Sequence, residues 1–220
     1  MNQIVFESPE ALAVAAAKSF QDLALEAIAT RGRFNVALAG GSTPKIIYEQ
    51  LALLELPWDK IHLFWGDERG VAPNDPNSNY GMVKTALLEK ISIPYSNIHR
   101  IKTEQNIFIA LGEYKLEVED IQFDLVHLGL GTDGHTASVF PASNLEAQQP
   151  VQITFPTPGL EPPVQRISLS LAKINAALVK QFFVTGDSKR EILKEISSGE
   201  DYPAARVKNA QWWLDNAAKL

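Results

Sequence analysis

Four short, almost uninterrupted apolar runs constrain this chain more than any other feature. They are Phe34-Asn35-Val36-Ala37-Leu38-Ala39, Ile61-His62-Leu63-Phe64-Trp65, residues 123–130 and Gln181-Phe182-Phe183-Val184-Thr185. A strand that is apolar at nearly every position needs cover on both faces, and helical stretches alternate with these runs. The combination dictates a mostly parallel sheet with helices on both faces. Each run gives way to a loop of unusual composition, at residues 40–44, 66–77, 131–143 and 186–189. In a parallel sheet all such loops gather at one end, outside the carboxyl ends of the strands, where ligands bind.

Helix signals fill the intervals. Ser8-Pro9-Glu10 offers a capping hydroxyl, proline at the first helical position and an acid near the positive end of the dipole. The Ala/Leu-rich stretch after it should run to Arg31-Gly32, where glycine stops it. A second helix opens at residues 40–44 and runs through Leu51. Ser78 caps a third, and a fourth covers residues 106–118. Residues 66–77 read as a long polar loop, and Gly186-Asp187-Ser188 starts a last helix through Ile196. Pro156, Pro158, Pro162 and Pro163 mark a stiff connection, and residues 166–171 alternate like a strand with one exposed face.

At 220 residues the chain is expected to form a single α/β domain, 1–220, large enough to bury a core without disulfides or metal. It has no cysteine, which excludes a disulfide framework, thiolate zinc sites and a cysteine nucleophile. Twenty Lys+Arg against 26 Asp+Glu leave a net charge of −6, and no basic tract stands out, so no nucleic-acid partner is expected. The first residues lack a basic leader before an apolar stretch, and the apolar run at 11–17 stops at Lys18. The expectation is a cytoplasmic protein with no membrane partner. An acidic chain that binds an anion must gather its cations locally.

The loops carry the chemistry. Gly40-Gly41-Ser42-Thr43-Pro44 leads from a strand into a helix N-terminus, so its free N–H groups and two hydroxyls can cradle a phosphate, or simply form a capped turn. Pro44 excludes the serine-hydrolase elbow, and the Walker ending is missing. Gly129, Gly131 and Gly134 spell a dinucleotide fingerprint, yet no long helix and no acid about 20 residues on accompany it. Asp133-Gly134-His135 puts a histidine beyond a strand end, poised as a general base, with Asp133 able to orient it. The other histidines, His62, His99 and His127, read as core or surface residues. Asp67-Glu68-Arg69 can fix its loop by ion pairing or hold sugar hydroxyls and an anion. Arg166 and Lys189 are the further cations. Lys189 falls in the first turn of a helix, where a cation is unfavourable unless an anion is near.

Taken in order, these segments resemble the 6-phosphogluconolactonase branch of the glucosamine-6-phosphate isomerase/6-phosphogluconolactonase superfamily. The residues that carry the resemblance are Leu38 to Pro44, Trp65-Gly66-Asp67-Glu68-Arg69, Ser78-Asn79-Tyr80 and Leu128 to Pro141. Arg166-Ile167-Ser168-Leu169, Val184 to Lys189 and Pro203-Ala204-Ala205-Arg206-Val207 complete it. The resemblance implies a Rossmann-like three-layer sandwich, no required cofactor or metal, and a small phosphosugar lactone as partner; a monomer is the expectation, with an oligomer left open. It implies hydrolysis of 6-phospho-D-glucono-1,5-lactone to 6-phospho-D-gluconate in the oxidative pentose phosphate pathway. Carried over by position, His135 is the acid/base. Gly41, Ser42, Thr43, Arg166 and Lys189 bind phosphate, and Asp67, Arg69 and Asp133 complete the catalytic set.

One departure separates the branches. Deaminase relatives carry Asn-Glu-Pro where this chain has Val139-Phe140-Pro141, and phenylalanine cannot shuttle the proton that opens a sugar ring. Gly70 and His127 are also atypical of the pattern. An aldose–ketose isomerase or deaminase, and a phosphosugar sensor without catalysis, are the alternative functions.

Overall fold

A computed structural model describes residues 2–220. In chain order the elements are β1 (Asn2–Phe6), α1 (Pro9–Arg31), β2 (Phe34–Leu38), α2 (Ser42–Leu51), β3 (Ile61–Trp65), β4 (Asp67–Arg69), α3 (Asn79–Ala86) and β5 (Ile98–His99). They continue with α4 (Ile107–Val118), β6 (Leu125–Leu128), β7 (Val151–Thr154), β8 (Arg166–Leu169), α5 (Leu171–Asn175), β9 (Val179–Val184), α6 (Arg190–Ser198) and β10 (Gln211–Asp215).

The capping chemistry of α1 works as its sequence dictates. Ser8 accepts from the Ala11 N–H at 3.2 Å, and Gly32 closes the helix in the left-handed region at φ 77°. Leu12, Ala16, Phe20, Ala24 and Ala27 recur at helical spacing and are all buried, the alanines letting the helix lie close on the sheet. β2 and β6 are buried at every position, as strands covered on both faces must be.

The main sheet is seven-stranded and parallel, in the order β1-β10-β9-β6-β2-β3-β5. From β2 the chain steps outward through β3 to β5, then returns to β6 and steps the other way through β9 to β10. Right-handed crossovers therefore put α2 and α4 on opposite faces. β2 and β6 are hydrogen-bonded neighbours whose chains depart in opposite directions, which makes a topological switch point between them.

Two expectations fail here. Residues 66–77 are not all loop: β4 is a strand in a second, antiparallel sheet, ordered β4-β8-β7. And β8 has no exposed face, being buried at all four positions. Its alternation reflects two covered faces, one apolar and one polar. Gly66 joins the two sheets, its N–H donating to Leu38 of β2 and its carbonyl accepting from Leu169 of β8, both at 2.8 Å. At Gly70 a Cβ would meet the Gln165 carbonyl at 2.8 Å, so this turn leaves no space for a side chain.

Tyr48 lies over buried His127 and reaches its Nδ1 at 3.4 Å, while Nε2 has no partner. Burial pushes the His127 imidazole down to about 3. The unfolded chain, with an ordinary imidazole, binds the proton first as pH falls below about 6.5, so native stability must decline from there until about pH 3. At pH 5 that amounts to about 2 kcal/mol. His127→Leu should flatten the pH dependence of the urea midpoint between pH 6.5 and 4; an unchanged slope would show that His127 is solvated.

Candidate active site

The loops after β2, β6 and β9 meet at the switch point and enclose a cleft of about 280 Å³. Its walls include Gly41, Ser42, Thr43, Asp67, Arg69, Gly131, His135, Arg166 and Lys189. Every residue expected at the site is thus on the cleft except Asp133, which lies behind His135 and is bonded to it.

His135 Nδ1 and Asp133 Oδ1 are 2.5 Å apart, and the Thr157 hydroxyl donates to Asp133 Oδ2 at 2.6 Å. Burial acts to raise the Asp133 carboxyl, but the bonds from His135 and Thr157 outweigh it and hold the group well below the usual carboxylate range. Asp133 is therefore a fixed anion that orients the imidazole. Gly131 makes the pair possible, because a Cβ there would fall 2.1 Å from His135 Nδ1 and 2.6 Å from Asp133 Oδ1. Gly134, at φ 78°, turns the loop against Tyr202, and its carbonyl accepts from Ala204 in the Pro203–Val207 segment.

The second sheet supplies the charge. In the antiparallel register Arg69 lies directly opposite Arg166. Like charges so placed repel, and among the described residues no carboxylate oxygen lies within 4.0 Å of the side-chain nitrogens of Arg69, Arg166 or Lys189. Arg166 is only 2% exposed, its Nε has no partner, and its Nη2 has only long contacts to the carbonyls of Pro162 (3.3 Å) and Glu161 (3.5 Å). Burial pushes the Arg166 guanidinium and the Lys189 ammonium down, partly offset by Asp67 and Asp133 respectively. Lys189 ends a short 3-10 turn and caps α6, one step before the helix proper, where the expected cation–dipole conflict still applies. A fold that brings three cations together without a carboxylate partner is stabilised by an anionic ligand.

The Gly-Ser-Thr turn completes that site. Gly41 is the N-cap of α2 at φ 104°, and no side chain caps the helix, so the first amides are left for a ligand. Gly40 abuts the Asn79 side chain so closely that a Cβ would fall 1.8 Å from its Oδ1. Thr43 and Thr185 share a hydroxyl hydrogen bond of 2.7 Å, tying the first turn of α2 to the loop after β9.

Asp67 and Glu68 divide their work. Glu68 is buried and accepts from Arg69 N, Ser78 Oγ, Asn79 N and Tyr80 N, so it anchors the start of α3 away from the cleft. Asp67, also buried, accepts from Ser138 Oγ at 2.5 Å and Asn79 Nδ2 at 3.2 Å while lining the cleft. Phe140 sits between the two functional poles: its ring centroid is 4.7 Å from that of His135, and the Arg166 guanidinium lies 5.4 Å from it. Thr157 and Leu160 join the site without any local signal in the sequence, whereas Ser138 and Thr185 fall within the Leu128–Pro141 and Val184–Lys189 segments. His62 and His99 pair with each other at 3.0 Å, away from the cleft, in keeping with a structural reading.

The comparisons with known proteins agree with this geometry. The family model described as glucosamine-6-phosphate isomerases/6-phosphogluconolactonase matches residues 7–214. A 6-phosphogluconolactonase of Nostoc sp. is 41% identical over 209 residues, covering 87% of this chain and 86% of that protein. The crystal structure of 6-phosphogluconolactonase from Thermotoga maritima superposes with a TM-score of 0.89 at 30% identity, over 97% of this chain and 98% of that one. A monomeric glucosamine-6-phosphate deaminase reaches a TM-score of 0.88 at 20% identity, over 99% of this chain and 98% of that one, so the fold alone is common to both activities. Two parallel half-sheets, a switch-point cleft with an imidazole and unpaired cations, and matches along almost the whole chain converge: the chain belongs to the glucosamine-6-phosphate isomerase/6-phosphogluconolactonase family.

Proposed function

We propose that the protein hydrolyses 6-phospho-D-glucono-1,5-lactone to 6-phospho-D-gluconate. The observation that carries this reading is one cleft that holds an imidazole oriented by a half-buried carboxylate together with three cations whose side chains no carboxylate pairs. The names of the relatives agree with it. So does Phe140, which leaves no carboxylate where ring opening would need one.

With Nδ1–H donating to Asp133, Nε2 of His135 is the free base. It takes a proton from water as the water oxygen bonds to C1. Collapse of the tetrahedral adduct breaks the bond from C1 to the ring oxygen, and the imidazolium returns its proton to that oxygen. The new carboxylic acid loses its proton to solvent. Arg69, with Asp67 beside it, faces the lactone end and stabilises the oxyanion; a donor in that role is worth about 3–4 kcal/mol. The Ser42 and Thr43 amides, Arg166 and Lys189 hold the phosphate, so remote binding orients C1.

The test is lactone hydrolysis measured above the spontaneous rate, beside ammonia release from glucosamine 6-phosphate. Hydrolysis without ammonia supports the reading; ammonia without hydrolysis overturns it. Gly131→Ala probes the dyad without replacing either of its side chains. The methyl must displace the ring or the carboxylate, and a shift near 1 Å is expected to lower kcat by about 10²-fold with KM little changed. A kcat within twofold of the parent would mean that the observed pairing is not the reactive one.

A further inference from the structure

The connection from β7 to β8, residues 155–165, adds to the cleft wall from outside both sheets and outside the loops at the carboxyl ends of the main-sheet strands. It touches both poles of the site. Thr157 donates to Asp133 Oδ2 at 2.6 Å, Leu160 lines the cleft, and the carbonyls of Glu161 and Pro162 face Arg166 Nη2. The Thr157 bond joins residues far apart in sequence, and among the described residues no other group hydrogen-bonds to Asp133 Oδ2.

We propose that Thr157 is a positioning residue for the His135–Asp133 pair, delivered by a stiff strap that closes one side of the cleft. A carboxylate held at only one oxygen keeps freedom to swing its other oxygen. Asp133 is held at both: Oδ1 takes the imidazole Nδ1 and, at 3.3 Å, the His135 N–H, and Oδ2 takes the Thr157 hydroxyl, so the carboxylate plane is set and with it the ring. The sequence around Thr157 suits the task. Pro156 fixes its own φ, and Pro158 confines Thr157 to extended backbone, so little entropy is lost when the hydroxyl is held in place. Thr157 itself is half-buried and reaches Asp133 from outside the cleft floor. Acting through Asp133, it touches no substrate, which separates its effect from that of the phosphate ligands.

The kinetic arm of this inference rests on the lactonase reading; the spectroscopic arm does not. Thr157→Val keeps the shape and removes the donor, and Thr157→Ser restores it. Thr157→Val is expected to lower kcat by about tenfold or more with KM unchanged and the thermal midpoint a few degrees lower, and Thr157→Ser to recover most of both. In the 15N-labelled protein, the downfield Nδ1 proton of His135 should be visible, should move or broaden in Thr157→Val, and should return in Thr157→Ser. A kcat within twofold of the parent, a change confined to KM, or an Nδ1 resonance unmoved in Thr157→Val each overturns the assignment. A parent protein without lactonase activity overturns the functional reading instead, and the resonance still decides the role of Thr157.

Discussion

Replacing His135 with Ala is expected to lower kcat for 6-phosphogluconolactone by about 10²–10⁴-fold, the usual worth of a positioned acid/base, with KM nearly constant. The lactone carbonyl is electrophilic enough to hydrolyse unaided, so residual turnover must be read above that background. His135→Asn supplies a second arm: it keeps a polar group of similar reach but neither accepts nor returns a proton at neutral pH. Both variants should fail alike. The site should still bind the phosphate, since the cations lie on β4, β8 and the β9 loop, not on the His135 loop. Full turnover in His135→Asn at saturating lactone would remove the imidazole from the chemistry.

The second large effect belongs to Arg166. Hydrogen bonds to charged groups are worth about 1.5–3 kcal/mol, so Arg166→Ala should raise KM for the phosphorylated lactone by about 10–150-fold. The parent and Arg166→Ala should converge on glucono-1,5-lactone, which lacks the phosphate. Stability should move the other way. Arg166 is buried, faces Arg69 across the sheet and has an unpartnered Nε, so Arg166→Met, which fills the volume without the charge, should raise the thermal midpoint of the ligand-free protein. Unchanged KM in Arg166→Ala would place the phosphate elsewhere.

The sequence makes the main sheet readable because burial on both faces leaves an apolar run that needs no context, as in β2, β3, β6 and β9. β1 escapes notice because an exposed edge strand carries no such pattern. β4 and β8 are misread for a different reason: their polar residues, Asp67, Glu68, Arg166 and Ser168, are buried by partners distant in sequence, and a local window reads polarity as exposure. The same limit governs the site. Ser42, Thr43 and His135 announce themselves through the loops that hold them. Arg166 opposite Arg69, Phe140 between His135 and Arg166, and Thr157 on Asp133 depend on pairing across 97, 26 or 24 positions of chain, which no spacing rule reveals.

The central claim is that the imidazole and the anion pocket serve one substrate in one cleft. A crystal structure of the complex with 6-phosphogluconate tests it most directly. The phosphate should lie on the Ser42 and Thr43 amides with Arg166 and Lys189, and the carboxylate carbon should lie within hydrogen-bonding reach of His135 Nε2 through its oxygens. A product molecule seated with its phosphate away from those groups, or with its carboxylate out of reach of His135, would contradict the account.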